Sequence, residues 1–208
     1  NNAGCNADKD TLVATFKSPP TAAFSATSVC YGQSTNFTDL STPSPISSWI
    51  YNFGDFTNST SQNPIHTYSA AGTFTATLVA GSVNGCYDTI SVIVTVNPNP
   101  IANFTIGTAC ENNPLSFFDQ STISSGSITG WSYTFGDATT GSTSQSPTHI
   151  YSLPGTYPAN LTVTSALGCT STYSTNVNVL NSPIANFVMS ANPIVAQENV
   201  TFTDQSYG

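Results

Sequence analysis

The chain has 208 residues and a formal net charge of -8, with two Lys, no Arg, ten Asp plus Glu and only 6% charged residues. With so few cations it is a poor partner for nucleic acid or an anionic membrane surface, and no apolar run approaches the roughly 20 residues of a membrane span, so we expect no membrane insertion. Its 38% hydrophobic residues, with 32 Thr and 29 Ser, instead predict a packed, strand-rich fold with an uncharged polar surface.

Short strands separated by Ser, Pro, Gly and Asn predict an all-β chain. The first ones lie near residues 21–27, 34–40, 48–53 and 65–68. A hairpin follows, with strands at 73–79 and 89–96, and a second hairpin at 156–163 and 173–179 repeats it. About seven short strands in some 80 residues is typical of an antiparallel β-sandwich.

The sequence repeats itself at an offset of 80 to 83 residues. Residues 49–55 return as residues 131–137, each run beginning with Trp and ending with Gly-Asp. Gly-Cys dipeptides at residues 4–5, 85–86 and 168–169 mark one further position three times. The chain is therefore a tandem array.

The repeats set the predicted domain boundaries. We predict the C-terminal strand of a preceding repeat at 1–18, whole repeats at 19–98 and 99–182, and the N-terminal part of a following repeat at 183–208. Each junction contains proline, which makes a short connector stiff. An odd number of strands places the two ends of a sandwich at opposite poles, so we expect the sandwiches to stack end to end as a rod.

Three linked motifs in each repeat resemble those of the PKD domain. In the first repeat they are Tyr-Asn-Phe-Gly-Asp at 51–55, Asn-Pro-x-His-x-Tyr at 63–68 and Gly-Thr-Phe at 72–74. Phe56 and Ala138 stand where the family motif has a glycine, which leaves open the turn after the Gly-Asp pair. The resemblance implies tandem Ig-like sandwiches that serve as extracellular spacers or binding modules. The implied structural motif residues are Trp49, Tyr51, Phe53, Gly54, Asp55, His66, Tyr68, Trp131, Tyr133, Phe135, Gly136, Asp137, His149 and Tyr151.

The histidines are the residues that an enzyme interpretation would use for acid–base catalysis. His66 and His149 are the only imidazoles, and each could act as a general base near Asp55 or Asp137. A catalytic group is needed once, whereas these recur at one position in every repeat. We therefore interpret them as structural, expect the aspartates to accept backbone hydrogen bonds in the turn, and predict no enzyme, no cofactor and no catalytic residue.

The carboxylates are too sparse for a metal site. Asp8 and Asp10 are the closest pair near a junction. Calcium takes six to eight oxygen ligands, so two carboxylates are too few and we predict no metal ligands.

The style of the repeats points to a class of surface protein. Long Ser-, Thr- and Asn-rich arrays with Gly-Cys before the last strand resemble the giant SprB-type adhesins of gliding bacteria, which are exported by type 9 secretion. This resemblance implies a stalk segment of an adhesin or filament at the bacterial cell surface, spacing a binding tip from the cell. The implied partners are further repeats of the same chain, surface polysaccharide and outer-membrane anchor proteins. The alternative is a set of spacer or glycan-binding accessory domains within a secreted hydrolase.

Two Asp-Thr-aliphatic triplets, at 10–12 and 88–90, resemble the O-glycosylation signal of the same bacteria. Thr11 and Thr89 are therefore candidate glycosylation sites. Chance matches are common in a Thr-rich chain, so unmodified threonine remains the alternative.

Five widely spaced cysteines without a C-x-x-C pair indicate an oxidising, extracellular setting. Cys30 falls in the loop after the first strand, at the pole where the repeat ends, whereas Cys86 precedes the final strand at the opposite pole, about 20 Å away. Bridged Cα atoms lie within about 7 Å. We therefore predict an inter-repeat disulfide, Cys30–Cys169, with Cys30–Cys86 and Cys110–Cys169 as the alternative. On the same rule, Cys5, Cys86 and Cys110 would bond cysteines of neighbouring repeats.

Overall fold

The computed structural model describes residues 18–42, 45–190 and 199–207. The features predicted within residues 1–17, namely the strand of a preceding repeat, Cys5, Asp8, Asp10 and the candidate site Thr11, lie outside the described residues. The described chain is all-β, and it divides into two compact units between Val96 and Asn97. The prediction of tandem β-sandwiches is confirmed.

The first repeat is a sandwich of a three-stranded and a five-stranded sheet. Its strands are β1 (Phe24–Ala26), β2 (Val29–Cys30), β3 (Thr35–Asp39), β4 (Ile46–Asn52), β5 (Asn58–Ser59), β6 (Ile65–His66), β7 (Gly72–Ser82) and β8 (Tyr87–Asn97). One sheet has the order β1-β3-β6 and the other the order β2-β8-β7-β4-β5. The two sheets enclose one core.

The second repeat has the same plan. Its strands are β9 (Phe104–Ile106), β10 (Ala109–Cys110), β11 (Pro114–Asp119), β12 (Ile128–Thr134), β13 (Thr148–Ile150), β14 (Gly155–Ser165) and β15 (Thr170–Leu180). The sheets have the orders β13-β11-β9 and β10-β15-β14-β12. A further antiparallel pair, β16 (Phe187–Met189) and β17 (Phe202–Asp204), begins the same pattern once more.

Alternating side chains explain the long final hairpins. In β14 the alternate residues Ala159, Leu161 and Val163 are fully buried, while the residues between them face outward. Each buried Leu or Val contributes about 1.5–3 kcal/mol relative to exposure. Gly168 has a φ of 81° in the turn between β14 and β15, which is a left-handed conformation that glycine adopts without strain.

Aromatic rings fill the centre of each sandwich. In the first repeat Phe24, Phe37, Tyr51 and Phe53 are buried in one core cluster, and Phe24 meets Tyr51 edge-on with centroids 5.5 Å apart. The second repeat places Phe104, Phe117, Tyr133 and Phe135 in the same way. Edge-to-face pairs of this kind add about 0.5–1.5 kcal/mol beyond the area that they bury.

A short strand after the first one was not anticipated from the sequence. Cys30 lies in β2 rather than in a loop, and β2 joins the sheet of β8 while β1 stays in the opposite sheet. The equivalent β10 runs parallel to β15, with Cys110 opposite Leu180. A two-residue strand is too short to carry an alternating pattern, so periodicity cannot reveal it.

The chain begins and ends each repeat at opposite poles. In the second repeat the Ala102 N–H donates to Ser171 Oγ at 3.4 Å, next to the start of β15, and the repeat ends with Leu180 at the other end of that strand. The first repeat begins in the same way, because the Ala22 N–H donates to Asp88 Oδ2 at 2.8 Å near the start of β8. We call these two ends the N-terminal pole and the C-terminal pole. An eleven-residue strand separates them, by about 35 Å.

Replacing Thr35 with Val should stabilise the first repeat. Thr35 is fully buried on β3, and its hydroxyl has no hydrogen-bond partner among the described residues, whereas the second repeat has Leu115 at this place. Removing the desolvated hydroxyl should raise the free energy of unfolding by about 1 kcal/mol. Urea unfolding followed by NMR, with β7 and β14 amides observed separately, measures the effect in each repeat.

The reverse change, Leu115→Thr, is the matched control in the second repeat. It should lower the free energy of unfolding of that repeat by about 2 kcal/mol or more, because it adds an unpaired hydroxyl and removes packed methyl groups. A loss of stability in Thr35→Val would contradict the assignment of an unpaired hydroxyl.

Candidate functional site

His66 lies in a column of aromatic rings at one edge of the first core. Its ring stacks on Phe53, with centroids 4.2 Å apart and planes at 2°, and meets the edge of Tyr68 at 4.5 Å. Tyr68 in turn stacks on Phe74 at 4.1 Å, and the Tyr68 hydroxyl donates to the Phe53 carbonyl at 3.0 Å. The column therefore ties β6 and β7 to the segment after β4.

Asp55 accepts hydrogen bonds from the imidazole and from its own turn. His66 Nε2 donates to Asp55 Oδ2 at 2.7 Å. The Thr57 N–H and hydroxyl donate to Asp55 Oδ1 at 3.1 and 2.6 Å. The His66 and Asp55 side chains are only 15% and 13% exposed. The prediction that this aspartate accepts a backbone hydrogen bond is confirmed.

These contacts keep Asp55 ionised. Burial by itself would raise the pKa of the carboxyl, but the hydrogen bonds from Thr57 and His66 outweigh burial, so the pKa of Asp55 lies below its usual value of 3.8. The pKa of Asp137 is lowered for the same reasons, by Thr139 and His149.

The second repeat reproduces this arrangement closely. His149 stacks on Phe135 at 4.0 Å and 1°, and its Nε2 lies 2.7 Å from Asp137 Oδ2. Tyr151 stacks on Tyr157 at 4.7 Å, and its hydroxyl donates to the Phe135 carbonyl at 3.0 Å. Two copies of one geometry in adjacent repeats indicate a structural unit.

The turn after each Gly-Asp pair is left-handed at the position where the family motif has glycine. Gly54 has a φ of 84°, and a Cβ there would lie 2.6 Å from the Thr75 carbonyl oxygen, so this position requires glycine. Phe56 and Ala138 also adopt left-handed φ values, 70° and 61°. A non-glycine residue in this conformation costs about 1–2 kcal/mol. Phe56 adopts it with its side chain fully exposed.

A second aspartate in each repeat also organises loops. Asp39 Oδ2 accepts from Trp49 Nε1 at 2.7 Å and from Gln62 Nε2 at 3.1 Å, and Asp39 Oδ1 accepts from the Ser41 N–H at 3.0 Å. Burial would raise the pKa of Asp39, but the bonds from Ser41, Gln62 and Trp49 lower it below its usual value.

Asp119 has the same three contacts in the second repeat. Trp131 Nε1 donates at 2.8 Å, Gln145 Nε2 at 3.0 Å and the Ser121 N–H at 2.9 Å. Both tryptophans belong to the motif that the sequence predicts, whereas neither aspartate was predicted. The signal was present as Asp-x-Ser at residues 39–41, 119–121 and 204–206. Asp204 likewise accepts from the Ser206 N–H, at 2.8 Å.

The imidazole has little freedom for chemistry. Thr57 Oγ1 lies 3.5 Å from His66 Nε2, but its proton is directed to Asp55 at 2.6 Å, so the hydroxyl is not activated by the imidazole. Phe53 stacks on one face of the ring, and Tyr68 packs against it in a T-shaped contact. Residues 18–42, 45–190 and 199–207 contain no group of three His, Cys, Asp or Glu that could hold a metal ion. The arrangement ties loops to the core.

The cysteines are in two chemical states. Cys30 and Cys169 are disulfide-bonded, whereas Cys86 and Cys110 are free thiols. The within-repeat pairs Cys30–Cys86 and Cys110–Cys169 are therefore not present. The Cys30–Cys169 pairing remains a prediction.

The candidate glycosylation site Thr89 is exposed on β8. Its neighbour Asp88 accepts from the Ala22 N–H at 2.8 Å, so this carboxylate holds the beginning of the repeat against β8.

A family model described as "PKD domain" matches residues 17–96 and again residues 97–179. The chain belongs to the PKD domain family. Its repeats are similar to the PKD1 domain of Vibrio anguillarum Epp, with 29% identity over 41% of this chain and 99% of that one, and a TM-score of 0.39. They are also similar to the PKD1 domain of the Vibrio cholerae metalloprotease PrtV, with 28% identity over 39% of this chain and 98% of that one, and a TM-score of 0.37.

A structure of a 1.5-MDa bacterial ice-binding adhesin matches more of the chain at lower identity. The identity is 11%, over 82% of this chain and 70% of that one, with a TM-score of 0.42. Membership of the PKD family, together with disulfide-bonded cysteines, indicates an extracellular or secreted protein. No described segment is a helix of sufficient length and apolarity to cross a membrane.

Acid should weaken the first repeat, and Asp55→Asn should remove part of that effect. The folded pKa of Asp55 lies below 3.8, while an unfolded aspartate titrates near about 3.9. The carboxylate therefore stabilises the fold above about pH 4, and this contribution is lost as the pH falls through the folded pKa. Urea titrations between pH 5 and 3, with β7 amides reporting the first repeat, measure the difference between variant and wild type.

The second repeat is the internal control for this experiment, because Asp137 is unchanged in the variant. The β14 amides should keep the acid sensitivity of the wild type. If the β7 amides of Asp55→Asn also kept their full acid sensitivity, the stabilising role of the carboxylate would be refuted.

Proposed function

We propose that this chain is a stalk segment of an extracellular repeat adhesin or filament on a bacterial cell, which spaces a binding tip from the surface. The observation that carries the proposal is the succession of two PKD domains, each of which begins at one pole and ends at the other. A domain built in this way passes the chain along its long axis. A tandem array of such domains gains length with each repeat.

The connector after the second repeat is tied to the sandwich. Glu111 Oε1 accepts from the Ser182 N–H at 3.1 Å, and the Ser182 hydroxyl donates to the Glu111 carbonyl at 2.9 Å. Pro183 follows directly. A short connector that is both tethered and restricted by proline favours a fixed direction over free tumbling.

The surface chemistry suits a spacer. With 6% charged residues and many Ser and Thr, the chain remains hydrated without strong attraction to charged partners. Further repeats of the same chain are the primary partners, with surface polysaccharide and outer-membrane anchor proteins as the others. The proposal of gliding motility and type 9 secretion rests on repeat style, acidity and cysteine placement.

The alternative function for the same domains is that of spacers in a secreted hydrolase. The full gene distinguishes an adhesin from a hydrolase, because a hydrolase would carry few PKD repeats beside a catalytic domain.

An end-to-end array predicts an elongated particle in solution. Each repeat should advance the chain by roughly 35–45 Å, so two repeats should give a maximum dimension of about 70–90 Å. A compact chain of this length would have a radius of gyration of about 17 Å. Small-angle X-ray scattering measures both quantities, and a radius of gyration near the compact value would rule out the stalk geometry.

We also propose that the chain has no catalytic role. Both imidazoles occupy equivalent positions against Phe53 and Phe135, with Nε2 engaged by aspartate. The purified chain should not hydrolyse a panel of polysaccharides and peptides. Hydrolysis that is lost in His66→Ala or His149→Ala, while both variants remain folded by circular dichroism, would show this proposal to be wrong.

A further inference from the structure

The two cysteines of the second repeat are too far apart to bond each other. Cys110 lies opposite Leu180, the last residue of β15, and Cys169 immediately precedes Thr170, the first residue of that strand. Eleven residues of strand span about 35 Å, whereas bridged Cα atoms lie within about 7 Å. Each repeat therefore carries one cysteine at each pole, so any disulfide that such a cysteine forms must join it to a different repeat.

The disulfide-bonded residues occupy complementary poles. Cys169 lies at the N-terminal pole of the second repeat, in the turn that precedes β15. Cys30 lies on β2, beside β8, which is the place that Cys110 occupies in the second repeat. By this equivalence Cys30 belongs to the C-terminal pole of the first repeat. The C-terminal pole of one repeat is the end from which the chain enters the next.

We propose that Cys30 and Cys169 form one disulfide that links the C-terminal pole of the first repeat to the N-terminal pole of the second. Both cysteines are in the disulfide state, while the other two cysteines of the described chain, Cys86 and Cys110, are thiols. The bond forms when the two thiols lose two protons and two electrons to an external disulfide, such as oxidised glutathione or an exported thiol oxidoreductase, which is released as two thiols.

The two free thiols also lie at the poles of their repeats. Cys86 lies in the N-terminal-pole hairpin of the first repeat, and Cys110 lies at the C-terminal pole of the second. Each occupies the position from which an adjoining repeat would be bonded. Their partial exposure leaves them accessible to such a partner.

This pairing creates a covalent path for force that bypasses strands β3 to β14. Cys30 and Cys169 are 139 positions apart in the sequence. A pull on the termini would pass through the sulfur–sulfur bond instead of through the hydrogen bonds of β3 to β14. The inference goes beyond the stalk proposal, because it specifies how load is carried regardless of what the tip binds.

Peptide mapping of the unreduced full chain tests the pairing directly. Trypsin is unsuitable with two Lys and no Arg, so alkylation under denaturing conditions is followed by chymotrypsin and mass spectrometry. The expected result is a peptide that joins Cys30 to Cys169, with Cys86 and Cys110 alkylated. Recovery of Cys30 alone, or joined to any cysteine other than Cys169, would overturn the proposal.

Single-molecule pulling from the two termini tests the mechanical consequence. The bond should keep the enclosed segment from extending, and dithiothreitol should release an additional contour length of roughly 480 Å. Cys30→Ser should show that length without reductant. Cys86→Ser is the matched control, since it removes the equivalent hairpin cysteine of the first repeat and should extend like the wild type. Full extension of the oxidised wild type would refute the covalent path.

Discussion

Two aspartates in each repeat hold its loops against the aromatic core, and the local structure depends on them. A carboxylate that leaves water must find donors, because an unpaired buried charge is strongly unfavourable. Asp39 finds them on β4, on the segment before β6 and in its own turn. Asp55 has donors on β6 and in the turn that follows Asp55 itself. Segments far apart in sequence are thus fixed by two charges, in a chain that has few.

The same requirement explains why the turn tolerates strain. Phe56 adopts a left-handed φ. The turn is stabilised in this conformation because Asp55 accepts hydrogen bonds from both the N–H and the hydroxyl of Thr57. The second repeat accepts the same conformation at Ala138, with Asp137 and Thr139 in the equivalent roles. The carboxylate bonds offset a backbone cost that a glycine would have avoided.

The long final strand connects local structure to function. Because β15 spans the whole sandwich, it fixes the poles at which the repeat begins and ends, and it separates Cys110 from Cys169. A spacer needs a chain that enters at one pole and leaves at the other, and a disulfide between repeats needs a cysteine at each pole. Both follow from a strand of eleven residues that pairs along nearly its full length with β14.

The repeats, the final hairpins and the aromatic motif were predictable from the sequence, because they depend on periodicity and spacing within one chain. The sequence also placed Cys30 and Cys86 at opposite poles, but the strand count behind that placement omitted β2, so Cys30 lies in a strand and not in the loop that the count implied. The roles of Asp39 and Asp119 became visible only in the folded chain, because their donors come from other strands and loops: Trp49, Gln62, Trp131 and Gln145. The tertiary structure alone revealed β2 and β10, which are too short to have a period, and the unpaired hydroxyl of Thr35. Hydrogen-bond partners and desolvation depend on distances between segments remote in sequence, and a linear pattern does not contain those distances.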